Sequence, residues 1–145
     1  MEKVKIAVGS DHGGFVLKGQ IVEYLKEKGY EVTDCGTYST ESCDYPVYAK
    51  AVAKLVSTND AEKGILVCGS GIGVSIAANK VKGVRAALCH EPYSAMLSRL
   101  HNNANVLCLG ERITGRDLAI DIVDRWLSTE YEGGRHQKRL DMLEQ

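Results

Sequence analysis

The sequence lacks the features that mark secreted, membrane-spanning or nucleic-acid-binding proteins. Its 18 lysine and arginine residues stand against 19 acidic residues, and the net charge of −1 gives no general attraction for nucleic acid or for a membrane surface. No apolar run approaches the ~20 residues that cross a bilayer. The chain begins MEKVKIAVGS and enters a strand-like segment with no signal-peptide pattern before it. We therefore expect a cytoplasmic protein without a membrane span.

Cysteine pairing and metal-ligand spacing are also absent. The five cysteines are an odd number without CxxC spacing, so a secreted disulfide framework is not expected. Cys89 and Cys108 lie inside apolar runs, where cysteine usually serves as a small buried hydrophobe. The four histidines are scattered along the chain without HExxH spacing, and no metal site is predicted.

The length and composition fit one soluble globular domain that spans residues 1–145. The sequence is 44% hydrophobic and 26% charged, both ordinary values. A chain of this size buries roughly 68–70% of the surface that its unfolded form exposes, so it can build a core without disulfides or metals.

Strand-like and helix-like segments alternate along the whole chain. Apolar runs predict five strands, and apolar residues at helical spacing predict five helices between and after them. This order predicts an α/β fold: a single-domain, three-layer α/β/α sandwich that is Rossmann-like, with a five-stranded parallel sheet. The predicted strands cover 5–9, 31–36, 64–69, 84–89 and 105–110, the predicted helices cover 15–28, 46–56, 72–80, 92–101 and 114–127, and a basic segment compatible with a further helix follows Gly133 and Gly134.

Ligands bind at the carboxyl ends of the strands in such sheets. That rule points to the loops after the first, third and fourth strands, and we extend it to the turn before the fifth. The first of these loops holds Asp11 and His12 among glycines that allow close backbone approach. Asp11 could bind hydroxyl groups or shuttle a proton, and His12 could bind phosphate at the start of the next helix. The alternative is that Asp11 only caps that helix.

The loop after the third strand reads Cys68-Gly69-Ser70-Gly71-Ile72-Gly73. Its three glycines leave backbone N–H groups free to face an anion or a developing oxyanion. The spacing is neither GxGxxG nor a Walker motif, and a purely structural turn remains an alternative. Cys68 ends the strand at the mouth of a helix N-terminus, which favours the thiolate and suits a base. The alternative is a buried structural cysteine.

Two further groups of residues follow in the second half of the chain. His101 and Asn102 close the fourth helix and suit acid–base work on hydroxyl groups, with a C-terminal helix cap as an equal alternative. Arg135 and Arg139 are four residues apart and share a helix face, which suits phosphate recognition, and Arg112 adds a third positive charge. The alternative is a solvated basic tail.

Six segments together resemble one family, the type B ribose-5-phosphate isomerases with their galactose-6-phosphate and allose-6-phosphate relatives. The match runs from the first strand to the arginine-rich tail. The segments are GSDHGG (9–14), DYP (44–46), CGSGIGVSIAANK (68–80), EPYSAMLSR (91–99), HNNANVL (101–107) and YEGGRHQKR (131–139). The resemblance implies a cofactor-free aldose–ketose isomerase of the pentose phosphate pathway that acts on a small phosphorylated sugar, ribose 5-phosphate or ribulose 5-phosphate.

The resemblance also implies a role for each matching residue. Cys68 is expected to move the proton between C1 and C2, and His101 to aid ring opening. The loop that holds the enediolate oxygens consists of Gly69, Ser70, Gly71, Ile72 and Gly73. Contacts to the other substrate oxygens are expected from Asp11 and Tyr45, and contacts to the phosphate from His12, Arg112, Arg135 and Arg139, with Asn102 nearby. Some members carry a glutamate further along the loop instead of the cysteine, and Val74 holds that place here.

In this family the site lies between two subunits, which implies a homodimer or a tetramer. Two other functions stay open on the sequence. A six-carbon substrate, allose 6-phosphate or galactose 6-phosphate, belongs to the same class of reaction. A non-catalytic domain of similar architecture that binds a nucleotide or a flavin belongs to a different class.

Overall fold

The computed structural model describes residues 3–144 and contains one parallel sheet of five strands. Their spatial order is β2-β1-β3-β5-β4, and all four neighbouring pairs run parallel. The predicted α/β fold and its five-stranded sheet are confirmed. The strands are β1 (Lys5–Ser10), β2 (Glu31–Asp34), β3 (Lys63–Cys68), β4 (Ala86–Leu88) and β5 (Val106–Gly110).

Six helices within residues 3–144 cover the two faces of this sheet. They are α1 (Phe15–Glu27), α2 (Tyr45–Ser57), α3 (Ile72–Asn79), α4 (Pro92–Asn102), α5 (Arg116–Leu127) and α6 (Arg135–Leu143), and a short 3₁₀ turn, His12–Gly14, precedes α1. Helices α1, α4 and α5 share one buried cluster with the sheet, and α2 and α3 share another on the opposite face. Successive residues of β1 point to opposite faces of the sheet, so Ile6 and Val8 belong to the first cluster and Ala7 to the second.

Strands β2 and β4 are shorter in the structure than the sequence predicts. β2 stops at Asp34 because the carboxylate of that residue accepts a hydrogen bond from the backbone of Gly36 at 2.9 Å and turns the chain. The same carboxylate pairs with the buried ammonium group of Lys18 at 2.9 Å. β4 keeps only three residues of its predicted six because the side chain of Asn79 bonds to both the N–H and the C=O of Ala86, at 2.8 and 3.0 Å.

The strand order fixes where a ligand can sit. The connections from β1 and from β3 leave toward opposite sides of the sheet, so the topological switch point lies between the carboxyl ends of these two strands. The loop with Asp11 follows β1 and the loop with Ser70 follows β3. Among the described residues, no helix has the length and apolar character to cross a membrane.

The buried centre of the sheet predicts a stability effect. Ile65 lies in β3, in the middle of the sheet, and is fully buried, so Ile65→Ala should lower the free energy of unfolding by about 2–5 kcal/mol. Urea unfolding is conveniently followed by the fluorescence of Trp126, the one tryptophan of the chain, which is fully buried. Val16→Ala, at an exposed position of α1, is the matched control and should change stability little. Equal effects of the two substitutions would contradict this description of the core.

Candidate active site

A cleft of about 330 Å³ opens at the switch point between β1 and β3. It is lined by Asp11, Tyr45, Cys68, Gly69, Ser70, Gly73, Arg112 and Ile113. A larger cleft of about 710 Å³ lies beside β4, among Lys80, Lys82 and Arg85. We place the chemistry in the smaller cleft because it contains a thiol, a carboxylate and a glycine-rich loop at the carboxyl ends of the strands.

Cys68 occupies the floor of this cleft as the last residue of β3. Its side chain is buried, and its Sγ accepts a hydrogen bond from the backbone N–H of Gly71 at 3.1 Å. Gly71 has a φ of +80°, and a Cβ atom there would lie 2.5 Å from Leu88 Cδ1. Only glycine fits that position, and it is the turn at Gly71 that aims the N–H group at the sulfur. This hydrogen bond fixes the position of Sγ beside the glycine-rich loop.

Burial makes three of the other four cysteines unsuitable as bases. It raises the pKa of Cys89 and, much more strongly, the pKa of Cys108, which lies wholly inside the core. The pKa of Cys35 is raised by burial and further by the neighbouring carboxylate of Asp34. The thiols of these residues stay protonated at neutral pH. Of the five, Cys68 alone lines the cleft at the switch point.

The glycine-rich loop brings a cation and a phenol close to Cys68. Arg112 lies over Gly69, and its backbone N–H donates to the Gly69 carbonyl at 3.0 Å. Tyr45 packs against Gly73 so closely that a Cβ atom there would come within 2.7 Å of its ring. Arg112 and Tyr45 thereby reach the same cleft as Cys68 although they are far apart in the sequence.

Asp11 and His12 hold fixed positions on the β1 side of the cleft. Asp11 Oδ1 accepts a hydrogen bond from the backbone of Gly13 at 2.9 Å, so the capping interpretation describes part of what Asp11 does. Asp11 also lines the cleft, which keeps it available to a ligand. His12 Nδ1 accepts the backbone N–H of Cys43 at 3.2 Å, which leaves the proton of a neutral imidazole on Nε2.

His101 and Asn102 lie at the opposite edge of the sheet from Cys68. The turn after α4 is tied to the start of β3, where the Gly64 N–H donates to the Asn105 carbonyl at 2.9 Å. Cys68 lies four residues further along that strand, or roughly 13 Å. The expectation that the turn before β5 lies at the ligand edge is wrong, because a helix that follows a parallel strand runs back to the amino edge of the sheet.

The polar residues at the start of α6 lie beside His101 at this opposite edge of the sheet. His101 stacks on His136 with ring centroids 4.5 Å apart, and Arg135 and Arg139 are exposed on the same short helix. The helix-cap position after α4 is taken by Asn103, with a φ of +45°, and not by His101. The structure therefore brings Asp11, Tyr45, Ser70 and Arg112 together around Cys68, with His12 next to Asp11 in the chain and bonded to Cys43. Within one chain it leaves His101, Asn102, Arg135 and Arg139 apart from them.

Two residues around these sites carry no recognisable sequence signal. The carboxylate of Glu111 accepts a hydrogen bond from the backbone N–H of Leu17 at 2.7 Å. Because Glu111 directly precedes Arg112, this bond ties the start of α1 to the segment that carries Arg112. His136 joins His101 only through the folding of the tail, 35 residues further along the chain. The basic character of the tail marks this region, but no spacing rule relates the two histidines.

Comparison with known proteins shows the family of this chain. The model of the ribose/galactose isomerase family matches residues 6–143. Ribose-5-phosphate isomerase B of Escherichia coli is 56% identical over 139 residues, which cover 96% of this chain and 93% of that protein. The chain belongs to the ribose/galactose isomerase family, and it is accordingly an aldose–ketose isomerase.

Solved structures of relatives agree with the fold. The ribose-5-phosphate isomerase B of Clostridium thermocellum superposes with a TM-score of 0.97 at 53% identity, over 97% of this chain and 95% of the other. The ribose-5-phosphate isomerase B of Mycoplasma genitalium, with bound ribulose-5-phosphate, superposes with a TM-score of 0.94 at 46% identity, over 99% of this chain and 96% of the other.

The different burial of the cysteines predicts their reactivity. In the native protein at neutral pH, iodoacetamide should label Cys68, which the cleft makes reachable although it is buried, and the half-buried Cys43. It should spare Cys89 and Cys108, because burial away from this cleft keeps their thiols protonated and inaccessible. Peptide mass spectrometry measures the labelling at each site. Unfolded protein should be labelled at all five positions, and rapid native labelling of Cys108 would contradict the packing described here.

Proposed function

We propose that the chain interconverts ribose 5-phosphate and ribulose 5-phosphate, with Cys68 as the base that moves the proton. The observation that carries this proposal is the thiol of Cys68 at the switch point, with its Sγ bonded to the Gly71 N–H at 3.1 Å. The substrate is supported by the Mycoplasma genitalium relative, whose structure contains ribulose-5-phosphate. Membership of an isomerase family removes the alternative of a non-catalytic nucleotide- or flavin-binding domain.

The proton moves between two adjacent carbons of the open-chain sugar. The Cys68 thiolate takes the proton from C2 of the aldose, and the electrons of that C–H bond form the C1–C2 double bond of an enediolate. The electrons of the C1 carbonyl move onto O1, and the hydroxyl proton of O2 passes to O1 as the C2 carbonyl forms. The same thiol returns its proton to C1, which gives the ketose with no net change of redox state. One base positioned over both carbons is sufficient for the proton transfer between them, and the reaction consumes no cofactor.

The negative charge of the enediolate needs hydrogen-bond donors that are already in place. This role is assigned to the loop from Gly69 to Gly73 with the Ser70 hydroxyl. Gly69, Ser70 and Gly73 line the cleft beside Cys68, whereas the Gly71 N–H donates to Sγ and the Ile72 N–H to Ser70 Oγ. Asp11 and Tyr45 face the same cleft and are assigned to the sugar oxygens. His101 is assigned to ring opening, as the group that exchanges a proton with the ring oxygen.

The phosphate is assigned to the cationic residues. His12 and Arg112 come from the edge that holds Cys68, whereas Arg135, Arg139 and the nearby Asn102 come from the opposite edge. Anchoring the phosphate away from the reacting carbons fixes the orientation of the sugar over the thiol. The guanidinium groups suit this task because each can bind two phosphate oxygens at once.

A second copy of the chain would bring the two groups together. Helix α3, which begins at the glycine-rich loop, exposes Ile72 and Ile76, each more than half accessible, and Ile113 beside the cleft is equally exposed. Exposed apolar side chains next to an incomplete site are typical of a subunit interface. We therefore propose a homodimer with two equivalent sites, each of which combines Cys68 of one chain with His101 of the other.

The decisive substitution is Cys68→Ala. Because it removes the base and leaves the phosphate contacts, kcat for ribose 5-phosphate should fall by about 10²–10⁴-fold while substrate still binds. Isomerisation of ribose 5-phosphate is measured on the purified protein in the presence of a chelator. Cys43→Ala is the matched control, since its backbone contact to His12 survives the substitution.

Full activity of Cys68→Ala would show that the cysteine is structural and that the base is another group. The same assay with allose 6-phosphate and galactose 6-phosphate tests the six-carbon alternatives. A higher kcat/KM for either of these than for ribose 5-phosphate would overturn the proposed substrate.

A further inference from the structure

Two histidines and a carboxylate converge at the amino edge of the sheet. The ligand atoms of His101, Glu132 and His136 all lie within 4.8 Å of one another. His136 is buried, and its Nε2 atom makes no hydrogen bond of good geometry; the carboxylate of Glu132 lies 3.5 Å away. An unpaired polar atom in such a position is costly unless a ligand can satisfy it. We propose that this cluster is a zinc site whose occupation inhibits the isomerase.

The backbone holds the three ligands in place. The Glu132 N–H donates to the Leu100 carbonyl at 3.1 Å, which fixes Glu132 beside the residue that precedes His101. The His136 N–H donates to the Gly133 carbonyl at 3.3 Å and closes the turn into α6. The end of α4, the loop that contains Glu132 and the start of α6 therefore present three side chains to one point.

The distances are close to those that zinc requires. Two ligands on a tetrahedral zinc ion, with bonds of 2.0–2.1 Å, are about 3.4 Å apart. His136 Nε2 and Glu132 Oε1 are already 3.5 Å apart. The third ligand, His101, needs to approach by no more than roughly 1.5 Å. Its half-exposed ring, now stacked on His136, can do so by rotation about its side-chain bonds.

The donor set selects the metal. Two imidazole nitrogens and one carboxylate oxygen suit zinc with a water molecule as fourth ligand, whereas magnesium prefers an all-oxygen shell. The inhibition rests on the proposed function, in which His101 aids ring opening. A histidine nitrogen that is bound to zinc has no free lone pair with which to exchange a proton with the sugar. Zinc and substrate should therefore exclude one another.

Binding and inhibition are measured separately on the full-length enzyme. Calorimetric titration with Zn²⁺ should show one site per chain, and Mg²⁺ should show none. Glu132→Gln and His136→Gln should each weaken zinc binding by about tenfold or more, because each removes one ligand. Glu132 is exposed, so Glu132→Gln keeps the test valid if His136→Gln disturbs the fold. His90→Gln and Glu130→Gln, both at exposed positions outside the cluster, are the matched controls.

Inhibition should follow the same pattern. Zn²⁺ should stop ribose 5-phosphate isomerisation by the wild type, a chelator should restore it, and Glu132→Gln should need about tenfold more zinc for the same loss. Co²⁺ bound in place of zinc should show no thiolate charge-transfer band, which separates this site from binding at Cys68.

Unchanged zinc affinity in both cluster variants, or a thiolate band with cobalt, would overturn the proposed site. Zinc binding that depends on Glu132 but leaves the rate unchanged would instead overturn the role of His101. The failure of the site and the failure of the proposed function are thus distinguishable.

Discussion

The parallel sheet is the constraint on which the rest of the structure depends. All five strands point the same way, so the loops that follow them meet at one edge, and the helices return the chain to the other. Cys68 ends a strand and His101 lies near the end of a helix, and the fold keeps them apart for that reason. In the proposed function, a second copy placed with its opposite edge against the first brings the two groups together.

Around Cys68 the site is built from backbone as much as from side chains. Gly71 turns the chain so that its N–H meets the sulfur, and Gly73 leaves room for Tyr45. These contacts are made within the chain itself. A preorganised loop of this kind stabilises a developing charge without the cost of rearranging during the reaction. The contrast with Cys108, whose thiol is locked in the core, shows how position along neighbouring strands decides what a cysteine can do.

Most of the fold could be predicted from the sequence, because continuous apolar runs and glycine boundaries mark the strands. The length of β4 could not, since it depends on Asn79 bonding to the edge of the strand, a tertiary contact. The wrong placement of His101 came from assigning a helix end to the edge where strands end. The stack of His101 on His136 had no local signal at all, because it joins two segments that only the folded tail brings together.

The central claim, that Cys68 and His101 act together across two chains, is tested most directly by mixed dimers. Chains that carry Cys68→Ala and chains that carry His101→Asn are co-expressed with different tags, and dimers containing both are isolated. If the site is shared, each mixed dimer has one intact site and one doubly altered site, and it should regain about half of the wild-type activity although both parents are impaired. Mixed dimers no more active than the parents, or a failure to form them, would contradict the account.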